Sequence, residues 1–169
     1  VNAVKVVSND TMTDDLKTDT PAKSLHIFVD GGYKNDIAEA IFSSVAAGVK
    51  TVGVQEVEVT DIAGGKHQIC FDFPKTQDIY VSIKLTKTME YPLDGDEQIQ
   101  KICMNYINGV GMGNTVHYSY LYRLIYEQVP GITVADIKIG TATTQMSAQD
   151  IELKTIETAQ ITSEKVVIS

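Results

Sequence analysis

Tryptophan is absent from this 169-residue chain, and arginine occurs once, as Arg123. A surface without tryptophan and with a single guanidinium has little of the equipment that carbohydrate platforms and phosphate forks use. Cysteine occurs twice, at Cys70 and Cys103, and neither belongs to a CxxC pair. That spacing excludes a disulfide framework and argues against zinc and redox motifs; each thiol sits in an apolar pattern and reads as a reduced core residue, with a Cys70–Cys103 bridge left open. No apolar run approaches the length of a membrane span, and no basic-then-apolar signal segment opens the chain. The first residue is Val1 rather than methionine, which points to a piece of a longer polypeptide.

What is present is the composition of a globular protein, 43% hydrophobic, with an acidic balance: 14 Lys plus Arg against 22 Asp plus Glu, a formal charge of −8 and a pI near 4.8. Such a surface repels phosphate backbones, and the dispersed lysines form no compensating basic patch, so nucleic-acid binding is not expected.

Glycine-marked joints organise the first half. LHIFV (25–29) suits a buried strand, and Gly31–Gly32 permit a sharp exit. Ile37, Ala38, Ile41 and Val45 then recur at helical spacing, with Asp36 as expected N-cap, Glu39 in capping-box position and Gly48 as the stop. Val52, Val54, Val57 and Val59 lead to a Gly64–Gly65 turn, and Ile69, Phe71 and Phe73 return, which predicts a hairpin with a bulge near Gln55–Glu56. A further strand follows, with Ile79, Val81, Ile83 and Leu85 on one face and Tyr80, Ser82, Lys84 and Thr86 on a wet or interfacial one.

Pro92 and Asp94–Gly95–Asp96 predict a junction. Beyond it come a helix with Ile99, Ile102, Cys103, Tyr106, Ile107 and Val110, a second helix with Leu121, Leu124, Ile125 and Val129, and a strand over 132–139. The expected fold is α+β: two small mixed subdomains, a strand–helix–hairpin unit followed by a βααβ unit, with extended polar arms. The expected segments are 1–24 (strand and arm), 25–90, 91–150 (sharing strand 79–87) and 151–169, a docked extension ending in a short strand at Val166/Ile168. The polar stretch 8–24 needs a holder, and a neighbouring subunit or an upstream part of the chain is the expected one.

Chemistry-bearing patterns are weak. GVGMGN (109–114) follows a helix and is spaced GxGxG, so it reads as a helix stop rather than a phosphate loop. Asp94, Asp96 and Glu97 lack the further ligands of a calcium loop, and Asp10, Asp14 and Asp15 read as a solvated loop. His26, His67 and His117 lie in separate elements, where a packed or hydrogen-bonded histidine is the ordinary expectation. No GxSxG nucleophile appears. No catalytic, cofactor or metal site is expected. Tyr118, Tyr122 and Tyr126, four apart, share a helix face that is either half-buried or a protein–protein contact. Gly31, Gly32, Gly48, Gly64 and Gly65 are read as structural turns.

The ordered segments SNDTMTDD…TPAKSLHIFVDGG (8–32), IAEAIFSSVAAGVKTVG (37–53), VEVTDIAGGKHQICFDFP (57–74), strand 79–87, helix 97–109 with GVGMGNTV (109–116), SYLYRLIYEQVPGITVADIKI (119–139) and MSAQDIEL (146–153) resemble the C-terminal region of the baseplate J family. The resemblance lies in the order of these segments and spans essentially the whole chain. It implies a non-enzymatic wedge or ring subunit of a contractile phage tail or related injection system, made in the bacterial host cytoplasm and residing in the virion baseplate. It also implies contacts with other baseplate proteins and copies of itself, oligomeric only in the assembled particle, without nucleic acid or membrane insertion. Full members are longer, and the contacts of their N-terminal region are not carried over. The competing expectations are a tail-associated receptor- or carbohydrate-binding module and a hydrolase whose clustered titratable groups only a fold would bring together.

Overall fold

The computed structural model describes residues 1–16, 19–46 and 48–169, and the chain has an α+β fold. It divides into two compact units, Val1–Pro74 and Lys75–Ser169. The division falls after the hairpin; Pro92 and Asp94–Gly95–Asp96, expected at a junction, lie within the second unit, where Asp94 is the N-cap and Gly95 and Asp96 open a helix.

In the first unit, β1 (Ala3–Asn9) pairs antiparallel with β2 (Ser24–Asp30), from Ala3 opposite Asp30 to Asn9 opposite Ser24. Described residues of the polar stretch between them are tied to one side chain of β1. Asn9 is buried at its root, its Nδ2 donating to the carbonyls of Thr13 (2.8 Å) and Thr20 (2.9 Å) and its Oδ1 accepting from Thr11 N (3.1 Å) and Oγ1 (2.6 Å). One amide thus supplies the partners that a long turn otherwise finds in water.

Gly31 and Gly32, at φ of +71° and +104°, turn the chain into α1 (Lys34–Ser44). Its start differs from the expected capping box. Tyr33 is the N-cap and no side chain caps it, while Asp36 sits inside the first turn, where its charge complements the helix dipole. The helix also stops before Gly48. Val45 takes an extended conformation with its N–H on Ile41 O, and Gly48 (φ +84°) serves the following turn. Buried Ile37, Ala38 and Ile41 pack on Ile27 and Val29 of β2.

The expected bulge near Gln55–Glu56 is a change of partner. β3 (Lys50–Val52) ends after pairing parallel with β2, Gly53 and Val54 turn outward, and β4 (Gln55–Thr60) opens a regular hairpin with β5 (Lys66–Phe71). Val54 is consequently exposed, not part of an apolar face. Gly53 runs against the Phe71 backbone, where a side chain has no room. Past the hairpin, Asp72 rejoins β2 through Val29 N–H to Asp72 O (2.9 Å) and Asp72 N–H to Ile27 O (2.8 Å).

The second unit opens with β6 (Lys75–Asp78) and β7 (Tyr80–Lys87), followed by α2 (Gly95–Asn108), β8 (Thr115–Val116), α3 (Tyr118–Gln128) and β9 (Ile132–Gly140). β7 and β9 pair antiparallel around the two helices, the expected βααβ arrangement, with a register shift at Thr86/Lys87. Val81 and Ile83 are essentially inaccessible on one face of β7, as the alternation requires, and Ile79 just before the strand is equally buried. The tail is more integral than a docked extension. β10 (Ile151–Glu152) pairs with β8, β11 (Glu157–Gln160) lies parallel to β6, and, after a 3-10 turn over Ser163–Lys165, β12 (Val166–Ile168) lies parallel to β7. β7 is therefore central in the order β12-β7-β9.

Candidate assembly surface

Tyr118, Tyr122 and Tyr126 follow one face of α3, and that face turns to β9. The Tyr122 hydroxyl accepts the N–H of Ile137, and the Tyr126 hydroxyl that of Ala135, each at 2.9 Å. The next outward amide, Ile139, exchanges both backbone bonds with Ser147 at 2.9 Å. Every second N–H along the outer side of β9 is thus occupied. Two phenols and a loop close an edge that would otherwise pair with any strand offered to it. Tyr118 joins by ring contact, edge-on to Tyr122 at 6.2 Å. The Tyr122 and Tyr126 hydroxyls serve the fold, and Tyr126 remains 44% exposed.

Removing the Tyr122 hydroxyl therefore strands a part-buried donor. Tyr122→Phe should cost about 1–3 kcal/mol, and Tyr126→Phe less, since water can reach its site. Urea unfolding with amide exchange at Ile137 and Ala135 checks this; equal, negligible losses would show that the phenols do not guard the edge.

Each histidine is paired with an aspartate, a pattern that sequence spacing did not reveal. Buried His26 meets Asp72 (Nε2–Oδ2 2.7 Å), whose Oδ1 accepts the N–H of Val54 at 2.9 Å. His26 Nδ1 is buried without a hydrogen-bond partner. His67 meets Asp61 at 2.9 Å, and Asp61 Oδ1 also takes the N–H groups of Ala63 and Gly65 at 2.8 Å, building the hairpin turn. His117 Nδ1 meets Asp150 Oδ2 at 2.7 Å, with Asp150 Oδ1 accepting the N–H of Tyr118 (3.0 Å). The only sequence hint was Asp61 ahead of Ala63–Gly64–Gly65, an Asx-turn composition.

Among the five glycines read as turns, Gly31, Gly32, Gly48 and Gly64 have positive φ, whereas Gly65 lies where a Cβ would crowd the Asp61 carboxylate. In GVGMGN, Gly109 caps α2 with its N–H shared among the last carbonyls of the helix. Among the described residues no group of three or more His, Cys, Asp and Glu that could hold a metal comes together. Asp94 accepts from Gln98 (3.0 Å), and Asp96 from Lys87 (2.8 Å) and Tyr91 (2.6 Å).

These partners hold the Asp96 carboxyl below its ordinary range, chiefly through the Lys87 bond, and the His67 and His117 bonds do the same for Asp61 and Asp150. An acid depressed in the folded state stabilises above its unfolded pKa, and that stability is lost as pH falls through the folded value. Urea midpoints should therefore hold steady near neutrality and decline below about pH 4, with Asp96→Asn reducing the slope. A midpoint that rises on acidification would contradict these pairings. Burial moves both thiols the other way, Cys103 up to about 12, so it is an inert core residue rather than a nucleophile. Both cysteines are unpaired.

Next to His117 lies a shallow depression of ≈510 Å3 lined by Tyr106, Tyr120, Asn105 and Asn114, the two rings 5.0 Å apart. Tyr106 OH accepts His117 N–H (2.9 Å) and donates to His117 O (3.2 Å), which fixes its ring. No helix among the described residues is long and apolar enough to cross a membrane.

No protein-family model matches the chain, and no curated protein matches it. Among solved structures, a chain of the anti-feeding prophage (AFP) baseplate, from a six-fold symmetrised cryo-EM structure, aligns with 93% of this chain at 14% identity and a TM-score of 0.47. The alignment covers 33% of that chain, so the present sequence spans about a third of its length. At that identity and TM-score the likeness establishes neither a common fold nor a common role.

Proposed function

We propose that this chain is a structural part of a phage or phage-like contractile tail baseplate, a wedge or ring subunit of the baseplate J type that works by holding and being held by neighbouring proteins. The observation that carries the reading is the ordered series of segments resembling that family's C-terminal region, which together run from the end of β1 to β10. Surface chemistry supports it. Met12 and Leu16 on the Asn9-held loop, Ile62 at the β4–β5 tip, and Met89 and Leu93 before α2 are all more than four-fifths exposed. Apolar side chains at loop tips are the cheapest to bury against a partner, because the backbone around them already protrudes.

The reading assigns the chain no reaction, cofactor, metal, nucleic acid or membrane of its own, and places it in the virion after synthesis in the host cytoplasm. Its mechanism is conformational: subunits shift against one another when the baseplate is triggered. Co-purification of the full-length protein with the other tail proteins of its gene cluster tests it. Recovery of free full-length protein with none of them bound would count against it. A second reading, a tail-associated receptor- or carbohydrate-binding module, is favoured by the Tyr106–Tyr120 depression alone. A glycan-array signal lost in Tyr120→Ala would support it.

A further inference from the structure

Sheet edges in this molecule are guarded differently. β9 has its outward amides occupied, and β4 carries exposed Glu56 and Glu58 along its length. β1 has neither device. Because Ile27 and Val29 direct their backbone groups to Asp72, β2 meets β1 through the alternate residues, and Val4, Val6 and Ser8 turn their N–H and C=O groups outward. None of these three has a hydrogen-bond partner among the described residues. The strand contains no proline and one charge, Lys5. Val4 and Val6 are 56% and 54% exposed and border an apolar trough of ≈490 Å3 between this strand pair and α1, floored by Leu25, Ile27 and Ile41. A free edge beside an uncovered apolar strip is the geometry of strand addition, where main-chain bonds give affinity and alternate side chains give specificity.

Charge decides what fits. Asp30 stands beside one end of the edge, opposite Ala3, and Asp10 follows the other. A second copy paired antiparallel about Val6 would bring its Asp30 end against Asp10 at both ends of the joint. The first unit as a whole holds six lysines and no arginine against eleven Asp plus Glu. Like charges placed opposite one another disfavour that pairing. We propose that the outer edge of β1 takes an extended segment of a different protein chain, one with apolar side chains at alternate positions and a basic residue at each end. The inference deepens the assembly reading and rests on it for the partner being another protein of the particle.

The probe is the blocked peptide Lys-Val-Thr-Val-Thr-Val-Lys, titrated into the isotope-labelled chain. The amides of Val4, Val6 and Ser8 should shift and exchange at least about tenfold more slowly. Replacing both terminal lysines of the peptide by glutamate should weaken binding about tenfold, and methylating alternate peptide nitrogens should abolish it. Val6→Pro, which removes the outward N–H without touching a β1–β2 bond, should abolish binding while leaving the β1–β2 amides protected; Val6→Lys, which also loses the apolar side chain but keeps that N–H, should only weaken it. Shifts confined to other elements, equal binding of the glutamate peptide, or self-association through β1 would each overturn the proposal. Failure of the peptide with successful co-purification removes the β1 edge alone. Peptide binding with failed co-purification removes the assembly reading instead.

Discussion

Gly131→Ala should cost the second unit about 2–6 kcal/mol, a large share of the 5–10 kcal/mol or so that holds a domain of this size. Two effects add at this residue. Its φ of +76° is one that side-chain-bearing residues rarely adopt, and a Cβ there would overlap the backbone of Glu90 and Tyr91. Neither neighbour can yield easily: Gly131 O accepts the N–H of Thr88 (2.8 Å), and Tyr91 N–H is bonded to Thr88 O (3.1 Å). The turn that closes β7 is thus built directly onto the turn that opens β9. Gly64→Ala separates the effects, since Gly64 has φ of +87° with open space around its missing Cβ. It should lose only the conformational part, about 1–2 kcal/mol. Urea unfolding followed by tyrosine signal checks the first case, because seven of the eight tyrosines lie in the second unit. Equal costs for the two substitutions would show that backbone overlap at Gly131 is relieved without penalty.

Phe71→Ala should be as damaging in the first unit, at about 3–5 kcal/mol, or a fall in melting temperature of roughly 15 °C or more. Phe71 is wholly buried and is the largest side chain of a cluster in which Ile27, Val29, Ile37, Ile41, Val59 and Ile69 meet. It also ends β5 opposite Gln55, and Gly53 packs on its backbone, so the cavity opens where strand, hairpin and helix converge. Collapse into that cavity is resisted from three sides, which favours the upper part of the range. Phe73, edge-on to it at 5.6 Å but 36% exposed, is the control: Phe73→Ala should cost much less. Calorimetry of the two variants decides it, and similar melting temperatures would mean that the cluster around Phe71 repacks.

Periodicity made the long elements legible. The Ile99–Ile102–Cys103–Ile107 stripe, the Leu121–Ile125 face and the alternation of β7 all rest on apolar burial, which leaves a repeat in the sequence. What stayed hidden depends on partners far along the chain. β8 and β10 have two residues each, too short for any period, and β11 exists as a strand because β6 lies beside it, whereas the Val166/Ile168 pair does mark the short closing strand β12. The change of partner at Gly53 looked like a bulge because an interrupted alternation has the same appearance in both cases. Asp36 and Glu39 have capping-box spacing, yet the Gly31–Gly32 turn delivers the chain to α1 three residues sooner. For the candidate surface, the four-residue spacing of the tyrosines located their face, but their bonds to β9 amides leave no mark in sequence. Nor do the three His–Asp pairs, whose members lie 6, 33 and 46 positions apart.

The parallel placement of β11 and β12 has a consequence for how the protein is made. β7 emerges from the ribosome early in the second unit, but one of its two neighbours is Val166–Ile168, near the other end. A hairpin can close as soon as it is synthesised, whereas this pairing must wait for the helices, β9 and most of the tail. Until then the apolar face of β7 has only part of its cover, and the nascent chain is open to chaperones and to wrong strand partners. The first unit, complete by Pro74, faces no such delay. The two units should therefore acquire protection from proteolysis at separate times, the second only once β12 has emerged.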